Sequence, residues 1–539
     1  MPPLKHPDAS PPPSGPPSAW KLAALGRWTL LFLLAGHLLL RQAFAHLNLT
    51  MLIQLALNQA LPTEATPRPD WIPAIFDSAY VTELILLALL PLAIHVWRTR
   101  ERQVMDVAPG QDYSARMLGL PTLIAVAFLA WGAGHALLAV LFPGRVQPDL
   151  PTGFALHEPR DWYLIFRQSA LGAYALVFVY AFLFFRGKPR YIASAVAAGI
   201  FVSVGCAAAD VMHLLGPETI DGTLFGQETL ALAILAAFVV MAHYNNILAR
   251  GAAVIVLAFA GWRQSFRFQS GVPISIAGAI LLYAALGMFA SARGQSRTLK
   301  RAAACLFLLC VLGVGYAFLK KPAKNVSTKV DAWSPGIYAK LLKTYHDTEA
   351  PSDPAQYAFS RRPPFVQVSD PEVYKLEAVY DTSAAVSISV ADNIWRLLVW
   401  RRKASDWLYG HPIVGAGVGF PWFYEALYHA RFYYGQPREG LDPHNSFLNL
   451  LYRYGLIGFG LFVALIALVL ASAVRALRPR IQGDGLLEGL CVYFFYTAVF
   501  AFFNNALEGP SYALPFWMSL GLVYARAWQL NHRLIVDEP

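Results

Sequence analysis

The stretch 451–473, LYRYGLIGFGLFVALIALVLASA, decides the fold. It is an apolar block of the length needed to cross a hydrocarbon core of about 30 Å. Blocks of roughly 18 to 25 such residues recur along the chain, which predicts about twelve membrane spans. The expected cores are 21–41, 79–97, 117–142, 167–185, 191–213, 226–244, 247–261, 273–291, 302–319, 451–473, 485–504 and 514–530. Residues 42–61 either extend the first span or lie at the interface. Composition agrees: 56% of the 539 residues are hydrophobic and 14% are charged, against about 25% charged in a soluble domain. The expected fold class is an all-α, polytopic membrane protein. No internal repeat of the kind that marks many transporters is visible.

The connections between these blocks give the topology. Arg98, Arg100 and Arg102 follow the second block, and Arg186, Lys188 and Arg190 the fourth. Arg250 follows the sixth, Arg293 and Arg297 the eighth, and Arg475 and Arg478 the tenth. Every second connection therefore carries the Lys/Arg excess, and the positive-inside rule places both termini in the cytoplasm. This explains the net charge of +10 without nucleic acid. The expected organisation is a disordered Pro-rich cytoplasmic tail over 1–18, spans one to nine over 19–319, a large external loop over 320–450, spans ten to twelve over 451–530, and a cytoplasmic tail over 531–539. The first residues lack the layout of a cleavable signal peptide. The four cysteines, Cys206, Cys305, Cys310 and Cys491, fall inside apolar blocks without metal or redox spacing, as packing residues do.

No nucleotide-binding or hydrolase signature is present: no GxxxxGK[ST], no GxSxG and no HExxH. The glycines Gly415, Gly417 and Gly419 are not in a dinucleotide pattern and predict a tight external loop. Energy for any reaction must come with the substrate. The chemistry concentrates in 391–459. Arg396, Trp400 and Lys403 stand at i, i+4 and i+7, one face of a helix. An Arg fork suits diphosphate oxygens and a Trp face suits a sugar or lipid head; the same pattern also suits an interfacial anchor.

Further on, Asp442-Pro443-His444-Asn445-Ser446 runs into the tenth block, with Asn445 or Ser446 as the natural helix N-cap. The helix end disfavours an imidazolium, and a neutral His444 can take a proton from a hydroxyl as a general base. A histidine that merely hydrogen-bonds at a helix cap is the other reading. Asp442, His411 and His429 offer no diagnostic metal-ligand spacing. Arg263 and Arg267 lie in an outside loop, where positive charge calls for an anion or a salt bridge. Arg167 reads similarly, and Glu508, before the last block, is placed to orient an arginine or the base.

RxxxW from Arg396 to Trp400, then HPIxGxGxGF, then HNSFLxLLYxYGLIG together resemble the signature of the O-antigen ligase and O-antigen polymerase (Wzy_C-type) family of membrane glycosyltransferases. The signature covers about 65 residues and brackets a large periplasmic loop, as expected here. The resemblance implies a GT-C-like membrane fold in the bacterial inner membrane, without cofactor or metal. The implied reaction moves a glycan from undecaprenyl-diphosphate to an acceptor hydroxyl at the periplasmic face. It puts the base on His444, a diphosphate clamp on Arg396, and a second arginine on Arg263. Arg267, Trp400, Lys403, Arg167 and Glu508 join as substrate-binding candidates. The acceptor stays open between lipid A–core, a second glycan and a protein. The alternative from another class is a transporter or flippase of lipid-linked glycans, which needs charged residues near mid-span.

Overall fold

The computed structural model describes residues 17–39, 49–57, 80–107, 114–141, 162–186, 271–290, 403–419, 445–477, 484–504 and 506–531, with short pieces at 192, 251, 255, 343–344, 346–349, 396, 400 and 401. Among the described residues the regular structure is helical and no β-strand occurs. The long helices are α1 (Pro17–Leu39), α2 (Leu49–Ala56), α3 (Val81–Val107), α4 (Ser114–Leu141), α5 (Trp162–Ala173), α6 (Ala175–Phe185), α7 (Gly271–Ala290), α8 (Ser446–Leu477), α9 (Gly485–Phe503) and α10 (Pro510–Asn531). They occupy the expected blocks 21–41, 79–97, 117–142, 167–185, 273–291, 451–473, 485–504 and 514–530. The expected blocks 191–213, 226–244, 247–261 and 302–319 lie outside the described residues, isolated positions apart, as does nearly all of 320–395. Within the stretch 42–61, residues 49–56 form helix α2, and 42–48 lie outside the described residues.

Five described stretches are long and apolar enough to cross a membrane: Val81–Thr99, Gly119–Leu141, Gln168–Phe185, Ser446–Leu477 and Gly485–Phe503. The outward faces of α3, α4 and α7 are apolar too, with Leu87, Leu123, Leu137 and Leu281 all exposed. Such a bundle suits lipid rather than water. In lipid, helices associate through close packing and internal polar contacts, because the surroundings are as apolar as leucine.

Helix α6 is the hub. It packs on α1, α3, α4 and α10, and nine of its residues are buried, from Ala175 to Phe185. A helix apolar on all sides belongs in the interior of a bundle. Helices α8 and α9 join through α10, and α8 also lies along α4. Small residues set the closest approaches. A Cβ at Gly521 of α10 would fall 2.7 Å from both Ala181 Cβ and Phe178 O of α6. Gly132 of α4 and Gly172 of α5 face each other, with the Tyr454 ring between them.

Polar contacts then fix the two ends of the bundle. At one end, Asp484 Oδ1 accepts from Leu487 N as the N-cap of α9 (2.8 Å). Asp484 also takes a forked ion pair from Arg526 of α10, at 2.6 and 3.3 Å. Gln529 Nε2 donates to Phe185 O, and Asn531 Nδ2 to Ser472 O. The carboxyl ends of α6, α8 and α10 thus meet the amino end of α9, and the connections after Arg186 and Arg475 leave from this one end. The amino end of α8, the carboxyl end of α9 and the segment 403–419 gather at the other.

Candidate functional site

The site builds on the first turn of α8. Asn445 is its N-cap: Oδ1 accepts from Leu448 N at 2.9 Å, and the backbone carbonyl accepts from Asn449 N. Capping satisfies amides that have no partner inside the helix. Ser446 ties this turn to the end of α9. Its hydroxyl donates to Asn504 O (3.0 Å) and accepts from Ala506 N (2.8 Å) and Leu507 N (3.0 Å). All the hydrogen-bonding capacity of one buried hydroxyl is used.

One turn further along α8, Asn449 is fully buried and bridges two charges. Lys403 Nζ donates to its Oδ1, and its Nδ2 donates to Glu508 Oε1, each at 2.8 Å. Lys403 is 0% exposed and Glu508 8% exposed. Lys403 Nζ also sits 4.9 Å from the centre of the Tyr452 ring, and the Arg453 guanidinium carbon 5.4 Å from the same ring. Two buried cations therefore flank one aromatic face, an arrangement the ring quadrupole favours.

Arg396 and Trp400 meet the carboxyl end of α9. Arg396 Nη1 donates to Phe503 O at 2.9 Å, the last residue of α9. The Trp400 ring meets Phe502 edge-on at 5.8 Å and lies tilted over Phe503 at 6.2 Å. Arg396 and Trp400 thus meet residues 502–503, and Lys403 meets Asn449 of α8.

The glycine-rich segment does more than turn outside the bundle. Helix α8 breaks at Gly455 (φ 63°, ψ −169°), which frees backbone groups on both sides of the break. The loop 411–419 takes them up. Ala416 N donates to Tyr452 O (2.8 Å) and Gly417 N to Arg453 O (2.9 Å). Leu456 N donates to Pro412 O (2.9 Å) and Ile457 N to Ile413 O (3.2 Å). From α4, Trp131 Nε1 donates to Tyr454 O at 3.0 Å. Gly415 (φ 87°) lies directly against Gly455, and a Cβ on either would strike the other's backbone. Gly417 and Gly419 share the left-handed conformation, which glycine adopts without steric cost. Gly419 N donates to Gln168 Oε1 of α5 (2.7 Å), and Trp407 Nε1 to Pro412 O (3.1 Å). Irregular backbone is tolerated where the protein satisfies its polar groups, as happens here. Beyond the break, residues 456–477 span about 33 Å, enough for the hydrocarbon core.

The structure therefore brings Arg396, Trp400, Lys403 and Glu508 to one end of α8. His444 directly precedes the N-cap in sequence but lies outside the described residues, as do Asp442, His429, Arg263 and Arg267. Arg167 lies on α5 next to Gln168; its side chain is outside the described residues. His411 is exposed. Ser446 as a tether, Asn449 as a bridge and Arg453 as a buried cation are not among the residues expected from sequence. Arg453 had a legible signal, since an ionisable residue inside an apolar block is a functional candidate by default. Asn449 had none, because its partners are 46 and 59 residues away. No family model matches the chain, and no curated protein matches it.

Proposed function

We propose that the chain is a membrane glycosyltransferase of the O-antigen ligase or polymerase type, moving a glycan from undecaprenyl-diphosphate to an acceptor hydroxyl at the periplasmic face of the inner membrane. The observation that carries this reading is the gathering of Arg396 and Trp400 at the carboxyl end of α9 and of Lys403 at the capped amino end of α8, directly after His444 in sequence. A helix amino end and an arginine fork both favour phosphate oxygens. His444 takes the proton of the acceptor hydroxyl, whose oxygen attacks the anomeric carbon. The bond from that carbon to the diphosphate oxygen breaks, with inversion, and undecaprenyl-diphosphate leaves with the electron pair. Arg396 offsets the charge that grows on the leaving diphosphate, in a partly dry site where such offsets weigh most. The donor's own diphosphate supplies the driving force, so no nucleotide is needed.

The transporter reading calls for charge at mid-span. Among the described helices, the buried Glu488 and Arg453 sit elsewhere, while Arg27 lies midway along α1. Glu488 lies in the first turn of α9, where it accepts from Tyr283 Oη at 2.6 Å. Arg27 donates to Phe184 O near the end of α6, and Arg453 adjoins the break in α8. The deciding experiment supplies purified protein with an undecaprenyl-diphosphate-linked oligosaccharide and, in turn, lipid A–core, a second lipid-linked glycan, or a protein acceptor. Covalent transfer to any one of them supports the enzyme. Movement of intact donor across a liposome bilayer, without transfer to any acceptor, would replace it with the flippase.

A further inference from the structure

The buried bridge at the amino end of α8 has chemistry of its own. Lys403 donates to Asn449, and Asn449 donates to Glu508. A cation and an anion are thereby linked across one neutral amide, all three side chains lying 0%, 0% and 8% exposed. The bridge ties three pieces of chain: the helical residues 403–409, the second turn of α8, and the 504–509 connection between α9 and α10. The Ser446 hydroxyl joins the same connection one turn earlier, through Asn504, Ala506 and Leu507. Arg396 reaches it as well, through Phe503 O. Arg396, Ser446 and Asn449 are thus each anchored on the 503–508 stretch.

We propose that Lys403 and Glu508 are positioning residues, a charge pair bridged by Asn449 that fixes the first turns of α8, and with them the residue before its cap. They do not contact the donor. This rests on the glycosyltransferase reading for what the positioned turn does, and on the hydrogen bonds alone for the bridge. A fully buried ammonium whose partner is an internal amide is held in place by that partner. Buried charges are paired and hydrogen-bonded because leaving one uncompensated is costly. Removing either end breaks the same Lys403–Asn449–Glu508 link, so the second removal has less left to lose. The physics therefore requires the two substitutions to be non-additive.

The test compares Lys403→Met, Glu508→Gln and the double variant as full-length protein in detergent. Melting temperature is measured alongside steady-state transfer from an undecaprenyl-diphosphate-linked oligosaccharide. Each single variant melts lower and loses kcat by about tenfold or more. The donor KM stays within about twofold of wild type, as expected for a residue that makes no contact with the donor. The double variant loses less melting temperature, and less kcat, than the two single losses added together. Two results overturn the proposal. One is a donor KM raised about tenfold in Lys403→Met at unchanged melting, which makes Lys403 a ligand. The other is a double variant whose melting loss is the sum of the single losses, which leaves no bridge. If wild-type protein transfers no glycan, the glycosyltransferase reading fails, and the melting comparison still decides the bridge.

Discussion

Two residues carry the sharpest consequences. His444 precedes the N-cap of α8, and the cap itself is Asn445, so His444 is not needed to close the helix end. His444→Ala should leave the protein folded and inserted while glycan transfer falls by about 100- to 10,000-fold, the usual range for a lost general base. His444→Gln keeps a hydrogen bond but cannot take the proton, so it should be nearly as poor. Transfer rates measured beside protein abundance and melting check both variants. Wild-type transfer by His444→Gln would move proton removal to another group, with Asp442 next in line. Arg396 already gives one nitrogen to Phe503 O, so its guanidinium is held at a set angle. Arg396→Lys replaces a planar fork by a point charge. Transfer should fall by at least about tenfold, as for a lost charge-assisted hydrogen bond, and full activity in Arg396→Ala would reduce the segment to an interfacial anchor.

The break in α8 is a property of two elements rather than of either one. Gly455 leaves the helix, and the loop 411–419 supplies the partners its backbone loses. Gly415 has φ of 87° and no room for a side chain against Arg453 O and Gly455 N. Gly415→Ala adds a left-handed strain of about 1–3 kcal/mol to that collision. It should therefore lower the melting temperature in detergent and loosen the 403–409 segment from α8. An unchanged melting curve would show that the loop does not dock. The N-cap is a smaller matter. Asn445→Ala should cost about 1 kcal/mol, a shift to be read in the same melting experiment, with the helix otherwise intact.

Across the molecule, stability depends on close approach. Gly521 lets α10 lie against Ala181 and Phe178 of the buried hub α6. Gly521→Leu would force these helices apart at a cost of about 1–3 kcal/mol or more, measurable as lost melting temperature or lost yield of folded protein. The topology also belongs to this scale. The ends that carry Arg186, Arg475 and Arg526 lie together, opposite the site. Single cysteines placed at Lys343 or Pro371 should react with a membrane-impermeant reagent in cells whose outer membrane alone is permeabilised. Labelling only after inner-membrane lysis would put the loop, and the site with it, on the cytoplasmic side.

By itself the sequence determined the helical class and the positions of the described spans, because an apolar run of span length in lipid leaves the backbone one way to satisfy itself, the α-helix. It also narrowed the cap of α8 to Asn445 or Ser446, since a cap follows from local spacing. The tertiary structure alone decided which helices touch, that α6 is the hub, and that α8 breaks at Gly455 rather than at Gly458 or Gly460. A glycine permits a break but does not require one; the docked loop supplies the hydrogen bonds that make it affordable. The bridge through Asn449 was equally illegible. A buried polar group is satisfied by whatever the fold brings to it, and here the partners come from 46 residues upstream and 59 residues downstream.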